Sequence, residues 1–283
     1  METTTWRFID TGKGSPAWNM AVDEAISIVH GQGKVAPTLR FYGWDPATLS
    51  IGYFQKAEEE VDFAALAREG LGFVRRPTGG RAVLHDQELT YSIIVDEKYP
   101  GMPRGVTEAY RVLSEGLLYG FQALGLDAEM VNLASEEEKA KYAAAGGSSV
   151  CFDSPSWYEL VVEGRKVAGS AQTRKHGVIL QHGSILLEMD IEKLFSVLRF
   201  PSERLKERLM RSFPDKAAAI QELLRARGLE ETTMDKVTEA FREGLARGLG
   251  VKLVPSELTD EEKQLAAELA AERYGHDSWN LRR

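Results

Sequence analysis

The sequence predicts a chain of mixed α and β structure, and three observations carry that reading. Strand-like runs rich in β-branched and aromatic residues alternate with helical periodicity over the first half. Three strand-like runs then follow one another at 157–162, 167–171 and 178–187. From Asp190 onward the chain is mostly helical, and Thr259-Asp260-Glu261-Glu262 is a capping box before the last helix.

The elements follow in order. A short strand is expected at 6–10. Ser15 then caps a helix that Pro16 opens and that runs to about Val29, with Met20, Ala21, Ala25, Ile28 and Val29 as its buried stripe. Runs 38–44 and 47–53 are β-rich, and Asp45-Pro46 between them reads as a hairpin connection. A short helix at 61–69 closes at Gly70. Strands are expected at 72–75, 81–85 and 89–95, with Pro77-Thr78-Gly79-Gly80 as a tight turn between the first two. Val106, Tyr110, Leu113, Leu117, Phe121 and Leu124 recur at helical spacing and end at Gly125, a C-cap. Residues 132–156 form a long connection, charged at first and then small and flexible, and Glu163-Gly164 turns between the first two of the later strands. No repeat, low-complexity tract or Gly/Ser linker forces a division into two domains.

Composition excludes several classes. With 43% hydrophobic and 28% charged residues over 283 positions, the chain has the make-up of an ordinary globular protein. A single cysteine excludes an intramolecular disulfide framework and a cysteine-based zinc site, which makes a reducing cytoplasm the natural compartment. The N-terminus shows no basic region followed by an apolar one, and no apolar run approaches the ~20 residues a bilayer requires. A net charge of −8 argues against general binding to nucleic acid or anionic membranes.

Three segments hold chemistry-bearing residues. Cys151 lies in Gly146-Gly147-Ser148-Ser149-Val150-Cys151-Phe152-Asp153-Ser154-Pro155, a small-residue loop that gives a thiol the access a nucleophile needs; a packed or incidental thiol is the alternative. Lys166 follows fifteen residues later, in Arg165-Lys166-Val167-Ala168-Gly169-Ser170-Ala171-Gln172. A lysine beside a thiol favours the thiolate, whereas a solvated strand lysine has no such role. In Arg75-Arg76-Pro77-Thr78-Gly79-Gly80-Arg81, two glycines permit close backbone approach and three arginines suit an anion; a turn flanked by solvated arginines fits equally. The segment is neither a Walker A loop nor a dinucleotide fingerprint. Leu180-Gln181-His182-Gly183-Ser184 is a candidate wall of the same site, and His85 with His182 offers no metal-ligand spacing. No Gly-x-Ser-x-Gly elbow is present.

Together, Arg76 to Asp86, Cys151-Phe152-Asp153-Ser154-Pro155-Ser156-Trp157-Tyr158-Glu159-Leu160, Gly164 to Arg174 and Leu180 to Leu186 resemble the LipM-type octanoyltransferases of the biotin/lipoate protein ligase superfamily. The Gly-Gly-Arg and Lys-x-x-Gly elements are superfamily-wide, and the cysteine segment is the specific one. The resemblance implies an α+β fold built on a mixed, largely antiparallel sheet with flanking helices. It implies one catalytic domain over 1–255, with a core at about 33–250, and a helical segment at 256–283 packed on it. It further implies transfer of octanoyl from octanoyl-acyl-carrier protein to a lysine of the lipoyl domain of glycine cleavage H protein, in lipoate biosynthesis. The nucleophile then falls on Cys151 and its activating lysine on Lys166. Substrate binding falls on Arg76, Thr78, Gly79, Gly80, Arg81, His85, Ala168, Gly169, Ser170, His182 and Gly183.

No metal or nucleotide cofactor is expected, because the thioester already carries the activation, and a monomer is the default state. Carrier and lipoyl domains are acidic, so docking is expected at Arg75, Arg76, Arg81, Arg165, Arg174 and Lys175. The charged helices at 203–211 and 259–273 read as solvated faces whose arginines are further contacts. Three alternatives stand beside this reading: a LipL-like amidotransferase between lipoyl domains, an ATP-dependent lipoate ligase, and a non-catalytic lipoyl-domain binding module. The first has a Cys-Pro-Gly-like cysteine segment, and the second tends to have a further glycine where Arg81 stands.

Overall fold

The computed structural model describes residues 4–132 and 158–282, so Cys151 and most of the long connection lie outside the described residues. In chain order the strands are β1 (Thr5–Gly14), β2 (Thr38–Trp44), β3 (Thr48–Ile51), β4 (Gly72–Arg75), β5 (Val83–His85), β6 (Glu88–Asp96), β7 (Ala128–Asn132), β8 (Tyr158–Val162), β9 (Arg165–Lys175), β10 (Val178–Leu186) and β11 (Lys252–Pro255). The helices are α1 (Pro16–Gly31), α2 (Ala57–Glu60), α3 (Phe63–Arg68), α4 (Val106–Ala123), α5 (Ile191–Ser196), α6 (Glu203–Ser212), α7 (Ile220–Ala226), α8 (Met234–Leu249), α9 (Asp260–Leu269) and α10 (Asp277–Asn280).

Eight strands form one sheet in the order β11-β1-β2-β6-β10-β9-β8-β7. Only the β11–β1 and β1–β2 pairs are parallel, which makes the sheet mixed and largely antiparallel. A second sheet of three strands runs β4-β3-β5. Here one expectation is corrected. The runs at 38–44 and 47–53 are not a hairpin, because β2 pairs with β1 and β6 while β3 pairs with β4 and β5. The Pro77–Gly80 segment connects β4 to β5, which lie on opposite sides of β3. Strands β7 and β11 were not anticipated: each is short, and β11 ends in Pro255.

Alternation along the central strands assigns the two faces of the large sheet. Leu39 and Phe41 of β2, Leu89, Tyr91, Ile93 and Val95 of β6, and Ile179 and Ile185 of β10 enter one core with α4, α7 and α8. The intervening positions point the other way, toward α1, whose Met20, Ala21, Val22, Ala25 and Ile26 pack with Tyr42, Trp44, Ile94, Val178 and Leu180. A third cluster joins the small sheet to α2, α3, α5 and α6. Helix α1 is capped as expected, Trp18 N donating to Ser15 Oγ.

The C-terminal segment packs on α1. Arg7 of β1 makes a two-pronged contact with the buried Glu262 at 2.7 and 2.9 Å, and Glu262 also closes the capping box on Thr259. Glu24 of α1 accepts from Arg273 at 2.7 Å and from Tyr274 OH at 2.6 Å. No helix among the described residues is long and apolar enough to cross a membrane.

Behind the sheet, α4 and α8 approach so closely that their seam has no room for a Cβ. One added at Gly244 would lie 2.5 Å from Gly120 N and 2.6 Å from Gly116 O, and one at Gly248 would lie 2.4 Å from Gly116 Cα. These contacts are with backbone, so only separation of the helices relieves them. Gly244→Val is expected to cost about 1–3 kcal/mol, read as a lowered Tm in thermal unfolding; an unchanged Tm would show that the seam is loose.

Candidate active site

The face of the large sheet under α1 is polar in its middle, and register explains how. Arg40, Ser92, His182 and Ala171 stand in one cross-strand row, and Tyr42, Thr90, Ser184 and Gly169 in the next. Helix α1 and the Pro77–Gly80 loop cover these rows, so polar side chains that alternation would offer to water are buried. Buried polar groups must find partners inside. Two networks supply them.

The first centres on Asp23 of α1. Arg40 donates from Nη1 to Asp23 Oδ1 at 2.7 Å and spends its other donors on Asn19 and Thr11. Ser92 Oγ donates to Asp23 Oδ1 at 2.8 Å and Tyr42 OH to Oδ2 at 2.9 Å. His182 Nδ1 lies 3.5 Å from Oδ2, and its Nε2 is 2.7 Å from Thr78 Oγ1. With Nδ1–H facing the carboxylate, Nε2 accepts the Thr78 hydroxyl, which ties the Pro77–Gly80 loop to β10.

The second network runs through His85. Arg76 Nη1 donates to Ser50 Oγ at 2.6 Å, Ser50 is 2.7 Å from His85 Nε2, and His85 Nδ1 is 3.2 Å from Glu88 Oε1. Glu88 also accepts from Thr90 and Ser184, and Trp44 Nε1 donates to Thr90 Oγ1 at 2.8 Å while its ring stacks on His85. Each array has the hydroxyl–imidazole–carboxylate order of an activated nucleophile. Thr78 and Ser50 are fully buried, however, so the arrays position walls rather than attack substrate.

Between the networks opens a narrow cavity of about 40 Å³, walled by Met20, Tyr42, Trp44, Val83, Gly169 and Gly183 with Arg76, Gly80, His85, Ser170 and His182. Gly80 is exposed at its rim with φ of 93°, a left-handed conformation that favours glycine. Gly183 lets two strands close up, since a Cβ there would lie 2.6 Å from Gly169 O. Ser170 lines the cavity while its hydroxyl bonds Tyr91 OH at 2.7 Å.

The structure thus brings together Arg76, Thr78, Gly80, His85, Gly169, Ser170, His182 and Gly183 of the expected set. Gly79 contributes its carbonyl to Arg76 at 3.2 Å, and Arg81 is exposed, offering Arg76 its backbone carbonyl at 2.9 Å. Ala168 packs in the core cluster that includes α4, and the cavity wall begins at its neighbour Gly169. Lys166 is buried, with Nζ 3.0 Å from Glu159 Oε1, at the bulge where β9 leaves register with β8. Its backbone bonds Lys216 O and Ala218 N, and it does not line the cavity.

Of the arginines and lysine expected to dock a partner, two lie inside the protein. Arg75 is fully buried, donating to the carbonyls of Gly52, Tyr53, Gln55, Trp279 and Asn280, and Arg76 is inside the site. Arg165 pairs with Glu222, Arg174 donates to the carbonyls of Pro103, Arg104 and Gly105, and Lys175 pairs with Glu24. Sequence reasoning missed Asp23, Arg40, Ser50 and Glu88. Their signal was the polar side of strands whose other side is apolar, which reads as a solvent face until α1 is placed over it.

An open mixed sheet whose buried polar face walls an apolar cavity, rimmed by a Gly-Gly loop, is the arrangement of a lipoyl-ligase-type catalytic domain. Residues 15–246 match the family described as lipoyl protein ligase A/B catalytic domain, and the chain belongs to that family. Within it the chain groups with proteins named octanoyltransferase LipM. It is 65% identical to that of Brevibacillus brevis over 98% of this chain and 99% of the relative. It is 58% identical to that of Bacillus subtilis over the whole of both, and 51% identical to that of Staphylococcus aureus over 99% of this chain and 100% of the relative. Among solved structures it resembles a bipartite lipoate protein ligase of Thermoplasma acidophilum (TM-score 0.78, 25% identity, 98% of this chain and 96% of that one). It also resembles a lipoate-protein ligase A bound with ATP (TM-score 0.76, 27% identity, 99% and 98%).

Burial lowers the pKa of His182 below 6.5, with Arg76 and His85 adding to the effect against the pull of Asp23. Burial pushes Asp23 up, but Arg40, His182 and Ser92 outweigh it and hold its pKa below 3.8. In both cases the unfolded chain takes up a proton before the folded one. Stability from His182 is therefore complete above pH 6.5 and is lost as pH falls through its folded pKa; that from Asp23 is lost below 3.8. Denaturant unfolding against pH is expected to fall from about 6.5 downward by at most about 1.4 kcal/mol per pH unit from this residue. His182→Asn should flatten that upper limb, and an unaltered profile would remove His182 from it.

Proposed function

We propose that this protein transfers an octanoyl group from octanoyl-acyl-carrier protein to a lysine on the lipoyl domain of glycine cleavage H protein, through a thioester on Cys151. The observation that carries this is the 65% identity to an octanoyltransferase along 98% of the chain. The cavity adds support: Met20, Tyr42, Trp44 and Val83 give an alkyl chain apolar walls, and each buried methylene is worth about 0.8 kcal/mol.

The chemistry balances without a further reactant. The Cys151 thiolate attacks the carrier thioester, forming a C–S bond, and the carrier leaves as its thiolate. The uncharged acceptor lysine then attacks octanoyl-S-Cys151, forming the amide, losing a proton and releasing the enzyme thiolate. Lys166, as an ammonium that Glu159 holds in place, favours the thiolate of Cys151. Backbone N–H groups near Gly80 or Gly169 serve the oxyanion in both steps. The need for a reduced thiol suits the cytoplasm.

Intact-mass analysis after mixing with octanoyl-acyl-carrier protein is expected to show one octanoyl adduct, removed by hydroxylamine and absent from Cys151→Ser. ATP-dependent activity that survives in Cys151→Ser would instead establish a ligase. Lys166→Ala is expected to form the adduct at least about tenfold more slowly at pH 7 and to recover as pH rises; a loss independent of pH would assign Lys166 a structural role only.

A further inference from the structure

We propose that the outer face of α6 is the docking surface for the acidic carrier protein that delivers the acyl thioester; this rests on the donor reading above. Three arginines, Arg204, Arg208 and Arg211, recur at i, i+4 and i+7 and are exposed. That spacing gathers them within one narrow stripe, spanning about 10 Å along the axis. Leu209 is buried on the opposite side with Leu205 and Met210 packed against the same core, so the stripe is fixed outward. Ser202 caps the helix, accepting from Leu205 N at 3.2 Å.

The charges in this stripe are unspent. Among the described residues none of the three arginines makes an ion pair, in contrast to Arg165 and Lys175, whose charges are answered by Glu222 and Glu24. The acids of α6 do not neutralise them: Glu203 faces Lys206 at 3.9 Å, and Glu207, on the flank of the stripe, pairs with none of the arginines. A concentrated positive row on a protein of net charge −8 is complementary to a partner more acidic than itself. Three cations at turn spacing match a row of carboxylates at the same spacing, as an acidic helix presents. That favours a helical carrier over a β-rich acceptor domain.

Position strengthens the assignment. Helix α6 runs into a single turn at Phe213–Asp215 and then into Lys216–Ala218. There Lys166 N donates to Lys216 O at 2.7 Å and Ala218 N to Lys166 O at 3.0 Å. A carrier seated on the stripe is thus held beside the segment bonded to the proposed activating lysine.

The test compares wild type with R204E/R208E/R211E in separate half-reactions. With sub-saturating octanoyl-acyl-carrier protein at low salt, acylation of the triple variant is expected to be at least about tenfold slower, and the wild-type rate to fall toward it as salt rises. Acylation by octanoyl-pantetheine, which has no protein to dock, should be unchanged, as should transfer from preformed acyl-enzyme to the lipoyl domain. An unchanged carrier rate would overturn the proposal, and so would equal losses with both donors, which mean a damaged fold. A loss confined to the second half-reaction would assign the stripe to the acceptor and also overturn it. Failure of wild type to accept octanoyl from the carrier would refute the donor reading itself.

Discussion

The buried pair of Asp23 and Arg40 holds the site side of this molecule together. Asp23 is the point where α1 meets the sheet, and its two oxygens gather Arg40, Tyr42 and Ser92, with His182 beside them. An ion pair out of water is tolerated only when its remaining donors and acceptors are satisfied, and Arg40 meets that condition through Thr11 and Asn19. Removal of either partner would strand the other charge at a cost of about 3–5 kcal/mol. Such a pair adds little net stability compared with apolar packing. What it contributes is placement: α1 sits in one register over the sheet, and the cavity wall follows.

Placement then passes outward through neutral groups. His182 carries the geometry of Asp23 to Thr78, and Thr78 O accepts from Tyr53 N at 2.8 Å. Gly80 rests so closely on Gly52 that a Cβ at Gly52 would lie 2.1 Å from its carbonyl oxygen. Arg75 gathers the carbonyls of the 52–55 segment and those of Trp279 and Asn280, while Trp279 Nε1 donates back to Arg75 O at 2.9 Å. The rim loop is therefore braced on one side by His182 of the cavity wall and on the other by the 52–55 segment and Arg75, which stand behind it.

Much of this was legible in the sequence, and the gaps have physical causes. Helices α1 and α4 announced themselves through caps and period, and β4 and β10 through composition, because those signals are local. Pairing is not local: nothing in Asp45-Pro46 says that the strands on either side join different sheets. Gly80, His85 and His182 were named because the segments that hold them resemble a known family, and the structure sets all three on one cavity wall. Their partners Asp23, Ser50 and Glu88 were missed because a carboxylate or hydroxyl on one side of an amphipathic element looks solvated. The same ambiguity put Arg75 and Arg76 among the docking arginines, since both look like surface charge until the carbonyls and the buried Ser50 hydroxyl they bond are placed around them.

The topology also sets an order of events in time. Strand β1 lies between β2 and β11, pairing Arg7 with Thr38 on one side and Thr5 with Lys252 on the other. The first contact closes a short loop, whereas the second joins positions roughly 250 residues apart, a separation that slows pairing and defers it. Until β11 arrives, the outer edge of β1 is an open row of backbone donors and acceptors, the kind of edge on which chains aggregate. Once in place, β11 is four residues long and ends in Pro255, so the finished edge offers little to a second strand. The molecule is thus most vulnerable while it is being made, and the strand that ends that period is among its shortest.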